Sequence, residues 1–184
     1  MKNTAFYDRK WELGLLKEKY AETAKSQKGS MIALYGRRRV GKTELIKRFM
    51  KEVDTQKLYF YIGLSEKEGA FNALSAAIQE QTGDTIVIKD AEGFYKYIVE
   101  KSRRGTLILV LDEFQRFLDI APEMISSLQN HWDSILKNES IMIVLVGSSI
   151  GMMQRITDSR AEALYGRAQR IKLSHFKYAD FRLM

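Results

Sequence analysis

The sequence predicts an α/β fold: a three-layer α/β/α sandwich around a parallel sheet. Three observations predict it. Apolar runs rich in β-branched and aromatic residues alternate with amphipathic helical patterns along the chain. Two of those runs, "LILVL" and "IMIVLVG", are continuously apolar, as strands covered on both faces are. A glycine-spaced loop, "GRRRVGKT", stands directly between an apolar run and a helical pattern.

The elements follow in order. Asp8 can cap a first helix whose inner face carries Leu13, Leu16 and Tyr20. "SQKGS" breaks the chain before a strand at about Met31 to Tyr35. After the loop, Leu45, Ile46, Phe49 and Met50 form one helical stripe, with Lys47, Arg48 and Lys51 outside it. A second strand is expected from Lys57 to Leu64, then a helix with Phe71, Leu74 and Ile78 inward, stopped by Gly83. "TIVI", Thr85 to Ile88, has no secure place. Asp90 can cap the next helix, which carries Phe94 and Ile98 and ends at Gly105. "TLILVLDE" is the next strand. Pro122 suits the first turn of a long helix with Met124, Leu128, Trp132 and Leu136 inward. "IMIVLVGSS" follows as a strand, then a helix from about Met152 to Tyr165 and a short fifth strand, "QRIKL".

Bulk properties narrow the function classes. The 184 residues suffice for one well-packed domain. No cysteine is present, so disulfide frameworks and cysteine zinc sites are excluded. The start, "MKNTAFYDRKWEL", lacks the apolar core of a signal peptide, and no apolar run reaches membrane-spanning length. A cytoplasmic location without a membrane partner is expected. The 30 Lys and Arg against 23 Asp and Glu give a net charge of +7, a field that suits polyanions or a solvated basic surface equally.

Gly36, four residues, Gly41, Lys42 and Thr43 spell the phosphate-binding loop pattern G-x-x-x-x-G-K-[ST], with its strand before and helix after. In such a loop the backbone N–H groups and the helix N-terminus wrap the phosphates. The nucleotide-contacting segment is therefore Gly36, Arg37, Arg38, Arg39, Val40, Gly41, Lys42, Thr43 and Glu44. Gly36 and Gly41 are expected where a side chain would block the close backbone approach. Lys42 would reach the β- and γ-phosphates and Thr43 would ligate Mg²⁺. The three arginines are expected at the rim, for a carboxylate, a neighbouring domain, DNA or a subunit.

A second metal anchor belongs at a neighbouring strand tip, and Asp112 closes "LILVLDE". Glu113 could polarise an attacking water, or simply end the strand. Ser148 or Ser149, after the fourth strand, could bond the γ-phosphate or the water; both are also ordinary turn residues. Arg167, in "LYGRAQRIKL", could stabilise the transferring phosphate in cis or toward a neighbouring subunit, or be a surface arginine. Neither an N-K-x-D guanine reader nor a D-x-x-G switch is present, so ATP is favoured over GTP.

Together, "FYDRKWEL", "YGRRRVGKTEL", "LVLDEFQRF", "LVGSSIGMM" and "LYGRAQRIKL" resemble, in this order, the archaeal-type ATPase family, of the STAND/AAA+-related branch of P-loop NTPases. Phe6, Asp8, Arg9, Glu12 and Leu13 carry the N-terminal part of the match. The resemblance implies the sheet order 5-1-4-3-2. It implies adenine near the N-terminal segment, with Phe6 and Arg9 as base-side candidates. A single domain over 1–184 is expected, 1–28 flanking the nucleotide and 29–184 forming the core. The lid and C-terminal domain usual in the family are expected to be absent.

The reading is an Mg²⁺-dependent ATPase core acting as a switch. Its rivals are a nucleotide-gated DNA- or protein-binding module with negligible hydrolysis and a P-loop small-molecule kinase. DNA, a partner protein and a nucleotide-dependent homo-oligomer remain open as partners.

Overall fold

The computed structural model describes residues 9–63, 66–157 and 163–174. Five strands, β1 (Ser30–Gly36), β2 (Gln56–Tyr61), β3 (Leu107–Asp112), β4 (Ile141–Gly147) and β5 (Gln169–Leu173), form one sheet in the order β2-β3-β4-β1-β5. Every pairing is parallel. Read from the other edge, this is the 5-1-4-3-2 order that the resemblance implies.

The continuous apolar runs explain the layering. In β1, Met31, Ala33 and Tyr35 face one core and Ile32 and Leu34 the other. In β3, Leu107, Leu109 and Leu111 alternate in the same way with Ile108 and Val110, and β4 repeats the pattern. The smaller core is closed by α1 (Lys10–Ser26) and α2 (Lys42–Glu52), through Leu16, Leu45, Ile46 and Phe49. The larger is closed by α3 (Lys67–Thr82), α4 (Ala91–Ser102), α5 (Phe117–Ile120), α6 (Glu123–Ser134) and α7 (Ile150–Thr157). No helix among the described residues is long and apolar enough to cross a membrane.

Local signals explain most boundaries. Asp90 Oδ1 accepts the Gly93 N–H at 2.7 Å and starts α4, as its position suggested. Gly83, at φ 76°, closes α3. Asp8, the expected cap of α1, lies outside the described residues.

Two boundaries differ from expectation, and two segments take a form the sequence left open. β2 ends at Tyr61, not Leu64, because its neighbour β3 ends at Asp112 and then turns away at Glu113, so no partner remains to pair with. "TIVI" is no strand but an extended lead into α4, with Ile88 buried and its N–H donated to Ser75 Oγ at 2.8 Å. Between β3 and α6 a 3₁₀ turn, Phe114–Arg116, and α5 intervene. They are held by the edge-to-face rings of Phe114 and Phe117, 5.7 Å apart. Tyr165, expected at the end of the last helix, lies in a turn.

Gly36 is required for a reason the motif alone does not give. A Cβ there would lie 2.3 Å from the Leu173 carbonyl oxygen, so β5 could not close against β1. Gly36→Ala should destabilise the fold by about 1–3 kcal/mol, the usual cost of overpacking against an unyielding group. A lowered denaturant midpoint at unchanged m-value is the expected observation.

Candidate nucleotide site

The parallel register brings three strand ends to one place. Tyr35 of β1 lies beside Gly147 of β4, and Asp112 of β3 beside Val146. The chain beyond each opens into a cavity of about 620 Å³, at the carboxyl ends of the strands where ligands of open α/β sheets bind. Arg38, Arg39 and Gly41 through Glu44 line it from the loop. Tyr61, Glu113, Arg116 and Ser148 line it from the strand tips.

Gly41 sits at φ 90° with open space where a Cβ would be, so its backbone conformation is what demands glycine there. Arg39 adopts φ 64° without that freedom. Held left-handed, a residue with a side chain costs about 1–2 kcal/mol, and this strain belongs to the curl of the loop. No side chain caps the N-terminus of α2, whose first internal bond runs from Leu45 N–H to the Gly41 carbonyl at 3.0 Å. The amides before Leu45 thus offer an anion uncommitted donors, aided by the helix dipole.

Lys42 is buried at 6% exposure, and its Nζ donates to the carbonyls of Gly36 (2.8 Å) and Arg37 (2.9 Å). Burial lowers its pKa, and the charges of Glu113 and Asp112 oppose that shift. The ammonium is therefore curled over the loop, within the cavity wall.

Asp112 gathers donors from three elements. Its Oδ2 accepts from Thr43 Oγ1 at 3.1 Å and from Tyr59 Oη at 2.6 Å, and its Oδ1 accepts the Glu113 N–H at 2.9 Å. Burial first, then Asp112, pushes the Tyr59 phenol well above its ordinary pKa. A hydroxyl and a carboxylate oxygen side by side are hard oxygen donors of the kind Mg²⁺ takes. Among the described residues there is no cluster of three or more His, Cys, Asp or Glu.

Glu113, left-handed at φ 61°, follows at the cavity edge. Its Oε2 accepts from Ser148 Oγ and from Gln115 Nε2, each at 2.7 Å, with Arg116 Nε 3.7 Å away. Both hydrogen bonds fall on one oxygen, which leaves Oε1 for a water. Of the two serines, Ser148 enters the site; Ser149 instead supplies a backbone carbonyl to Met153 N–H at 3.0 Å, starting α7.

The arginines divide. Arg38 and Arg39 line the large cavity, whereas Arg37 turns to a separate space of about 210 Å³ beside Val40, Ile150 and Leu173. Arg9 braces that side: its Nη2 donates to the carbonyls of Val40 (3.1 Å) and Ser174 (2.6 Å), and its Nη1 pairs with Glu12 at 2.9 Å. A guanidinium so engaged ties the loop to the end of β5. Phe6 lies outside the described residues.

Arg167 is a correction. It precedes β5, so in a parallel sheet it stands at the amino end of the strands, opposite the cavity. There its guanidinium forks onto Asp133 near the end of α6, at 2.9 and 2.6 Å. The Arg167 bond lowers the Asp133 pKa in turn. A role on a phosphate in cis is thereby removed.

Sequence reasoning missed Tyr59, Gln115 and Arg116. Alternation in "KLYFY" puts Tyr59 and Tyr61 on one face, but only the pairing of Tyr61 with Asp112 brings that face to the carboxylate. Arg116 bonds the Ile62 carbonyl at 2.5 Å and stacks on Tyr61, its guanidinium 5.3 Å from the ring centre. No pattern within "DEFQR" announces that contact.

Comparison with known proteins is consistent with this geometry. A family model described as an ATPase domain predominantly from Archaea matches residues 6–184. An uncharacterized protein of Methanocaldococcus jannaschii is 30% identical over 176 residues, 94% of this chain and 37% of its own length. Among solved structures, a Walker-type ATPase of Pyrococcus abyssi aligns over 97% of this chain and 57% of its own, with TM-score 0.67 and 20% identity. The ORC2 protein of Aeropyrum pernix, solved in ADPNP–ADP complexes, aligns over 95% of this chain and 50% of its own, with TM-score 0.70 and 21% identity. The chain thus spans little more than a third of that curated relative and about half of each solved protein.

With Arg167 at the far end of the sheet, Arg167→Ala should leave nucleotide affinity within about twofold of the parent, less than 0.5 kcal/mol. Titration of a fluorescent ATP analogue against both proteins is the check.

Proposed function

Because this chain belongs to the family of ATPase domains found predominantly in Archaea, we propose that it binds ATP with Mg²⁺ at the Gly36–Thr43 loop and hydrolyses it, using the energy of binding and release as a switch. The observation that carries this reading is the hydrogen bond of Thr43 to Asp112, which joins the helix after the loop to the tip of β3 beside a cavity walled by Lys42, Arg38 and Arg39.

Each residue then has a part. The loop amides and the start of α2 bind the phosphates. Lys42 releases the carbonyls of Gly36 and Arg37 and turns its ammonium to the β- and γ-phosphate oxygens. Thr43 and Asp112 hold the metal, directly or through water. Bound there, Mg²⁺ would neutralise charge on those oxygens as the terminal bond breaks. Glu113 orients the attacking water and takes its proton on Oε1, while Ser148 steadies the carboxylate through Oε2.

A second reading has its own support. Glu113 Oε2 is already tied by both Ser148 and Gln115, so the carboxylate is held in place and would have to be re-aimed by a partner to meet a water. That favours a nucleotide-gated module whose turnover waits for a partner on the arginine-lined rim. DNA and an acidic protein surface are the partners whose charge fits Arg38, Arg39 and Arg116.

Lys42→Ala tests the shared premise. ATP affinity, measured on folded protein, should fall by at least about tenfold, 1.4 kcal/mol or more. Unchanged affinity, measured by calorimetry in Mg²⁺, would overturn the assignment of the loop as the nucleotide site.

A further inference from the structure

Asp112 is 3% exposed, and a buried carboxylate needs its oxygens satisfied. Three protein donors do so: Thr43, Tyr59 and the Glu113 amide. Their roles toward a metal differ. The Thr43 hydroxyl would offer the metal a lone pair while its O–H stays directed at Oδ2. The Glu113 amide holds only Oδ1. Tyr59 is the donor on Oδ2 that would have no task other than holding the carboxylate. Its bond, at 2.6 Å, is also the shorter of the two on that oxygen.

Tyr59 is itself unusually well fixed for a residue on an edge strand. One side of its backbone stretch is paired in register with Val110 of β3. On the open side, where an edge strand normally leaves its amide and carbonyl to solvent, the side chain of Gln81 in α3 takes both. The Tyr59 N–H donates to Gln81 Oε1 at 2.8 Å, and Gln81 Nε2 donates to the Tyr59 carbonyl at 2.8 Å. The same amide also reaches the Ala77 carbonyl at 3.1 Å, one turn back in α3. The phenol is thus mounted on a strand clamped from both sides.

We propose that Tyr59 is a positioning residue for the metal-side carboxylate: its hydroxyl, with its backbone clamped by Gln81, holds Asp112 Oδ2 toward Thr43 so that Mg²⁺ is received without reorganising the strand tip. The inference rests on the nucleotide-site reading above. Groups that orient a metal's carboxylate through hydrogen bonds commonly contribute as much to metal affinity as a tenfold to hundredfold factor. A phenylalanine at 59 keeps the ring and removes only the donor.

The test is the affinity of a fluorescent ATP analogue, measured across a Mg²⁺ titration and again in excess chelator, for the parent, Tyr59→Phe and Gln81→Ala. Tyr59→Phe should raise the Mg²⁺ concentration for half-maximal effect by about tenfold, with metal-free affinity within about twofold of the parent. Gln81→Ala, which leaves the phenol but frees its backbone, should shift the Mg²⁺ midpoint the same way by a smaller factor, about threefold. It also decides the matter should Tyr59→Phe fail to fold. An unmoved Mg²⁺ midpoint in the folded variants would overturn the inference. So would an equal loss with and without metal, because a packing role predicts that. A parent that shows no nucleotide binding would instead overturn the site reading on which the inference stands.

Discussion

The hydrogen bond between Thr43 and Asp112 is the contact on which the site depends. It joins two residues 69 positions apart in the chain, across a sheet in which β4 lies between β1 and β3. That order sets the loop after β1 and the tip of β3 on either side of the β4 terminus. Ser148 then enters between them and reaches Glu113. The chemistry of the loop is local, but the metal side of the site is a product of topology.

Close backbone approach is the second constraint. Gly36 admits the Leu173 carbonyl, and Arg9 closes the same corner by bonding the Val40 and Ser174 carbonyls. The loop is thus braced from the β5 side while Lys42 braces it from within. Strain is held at Arg39 and Glu113, the two left-handed residues with side chains that flank the cavity. Both lie in turns where the chain must leave a buried strand sharply, so a side chain is tolerated where glycine would be easier.

Much of this was legible in the sequence, and the reasons are particular. "LILVL" and "IMIVLVG" read as strands buried on both faces, and they are; the loop pattern between strand and helix pointed to the end of the sheet where the large cavity lies. Asp112 could be read from its place at a strand end. For Arg167 the sequence left a phosphate role and a surface role side by side. A residue between a helix and the next parallel strand stands at the far end of the sheet, which only the strand order makes visible. Tyr59 and Arg116 were beyond reach for a different reason. Their partners come from other elements, and no spacing within one segment encodes a contact between the second strand and the tip of the third. The three consecutive arginines read as one cluster, but the curl at Arg39 sends Arg37 to a different cavity from its neighbours.

The most direct test of the account is phosphate release from ATP in Mg²⁺ by the parent and by Glu113→Gln, with ATP affinity measured for both. The account predicts that both bind, that the parent releases phosphate, and that release by the variant falls on the order of a hundredfold, as loss of a positioned general base entails. Equal release by both proteins would contradict the role of Glu113. Binding by both without release from either would contradict self-sufficient hydrolysis and leave the nucleotide-gated module as the reading.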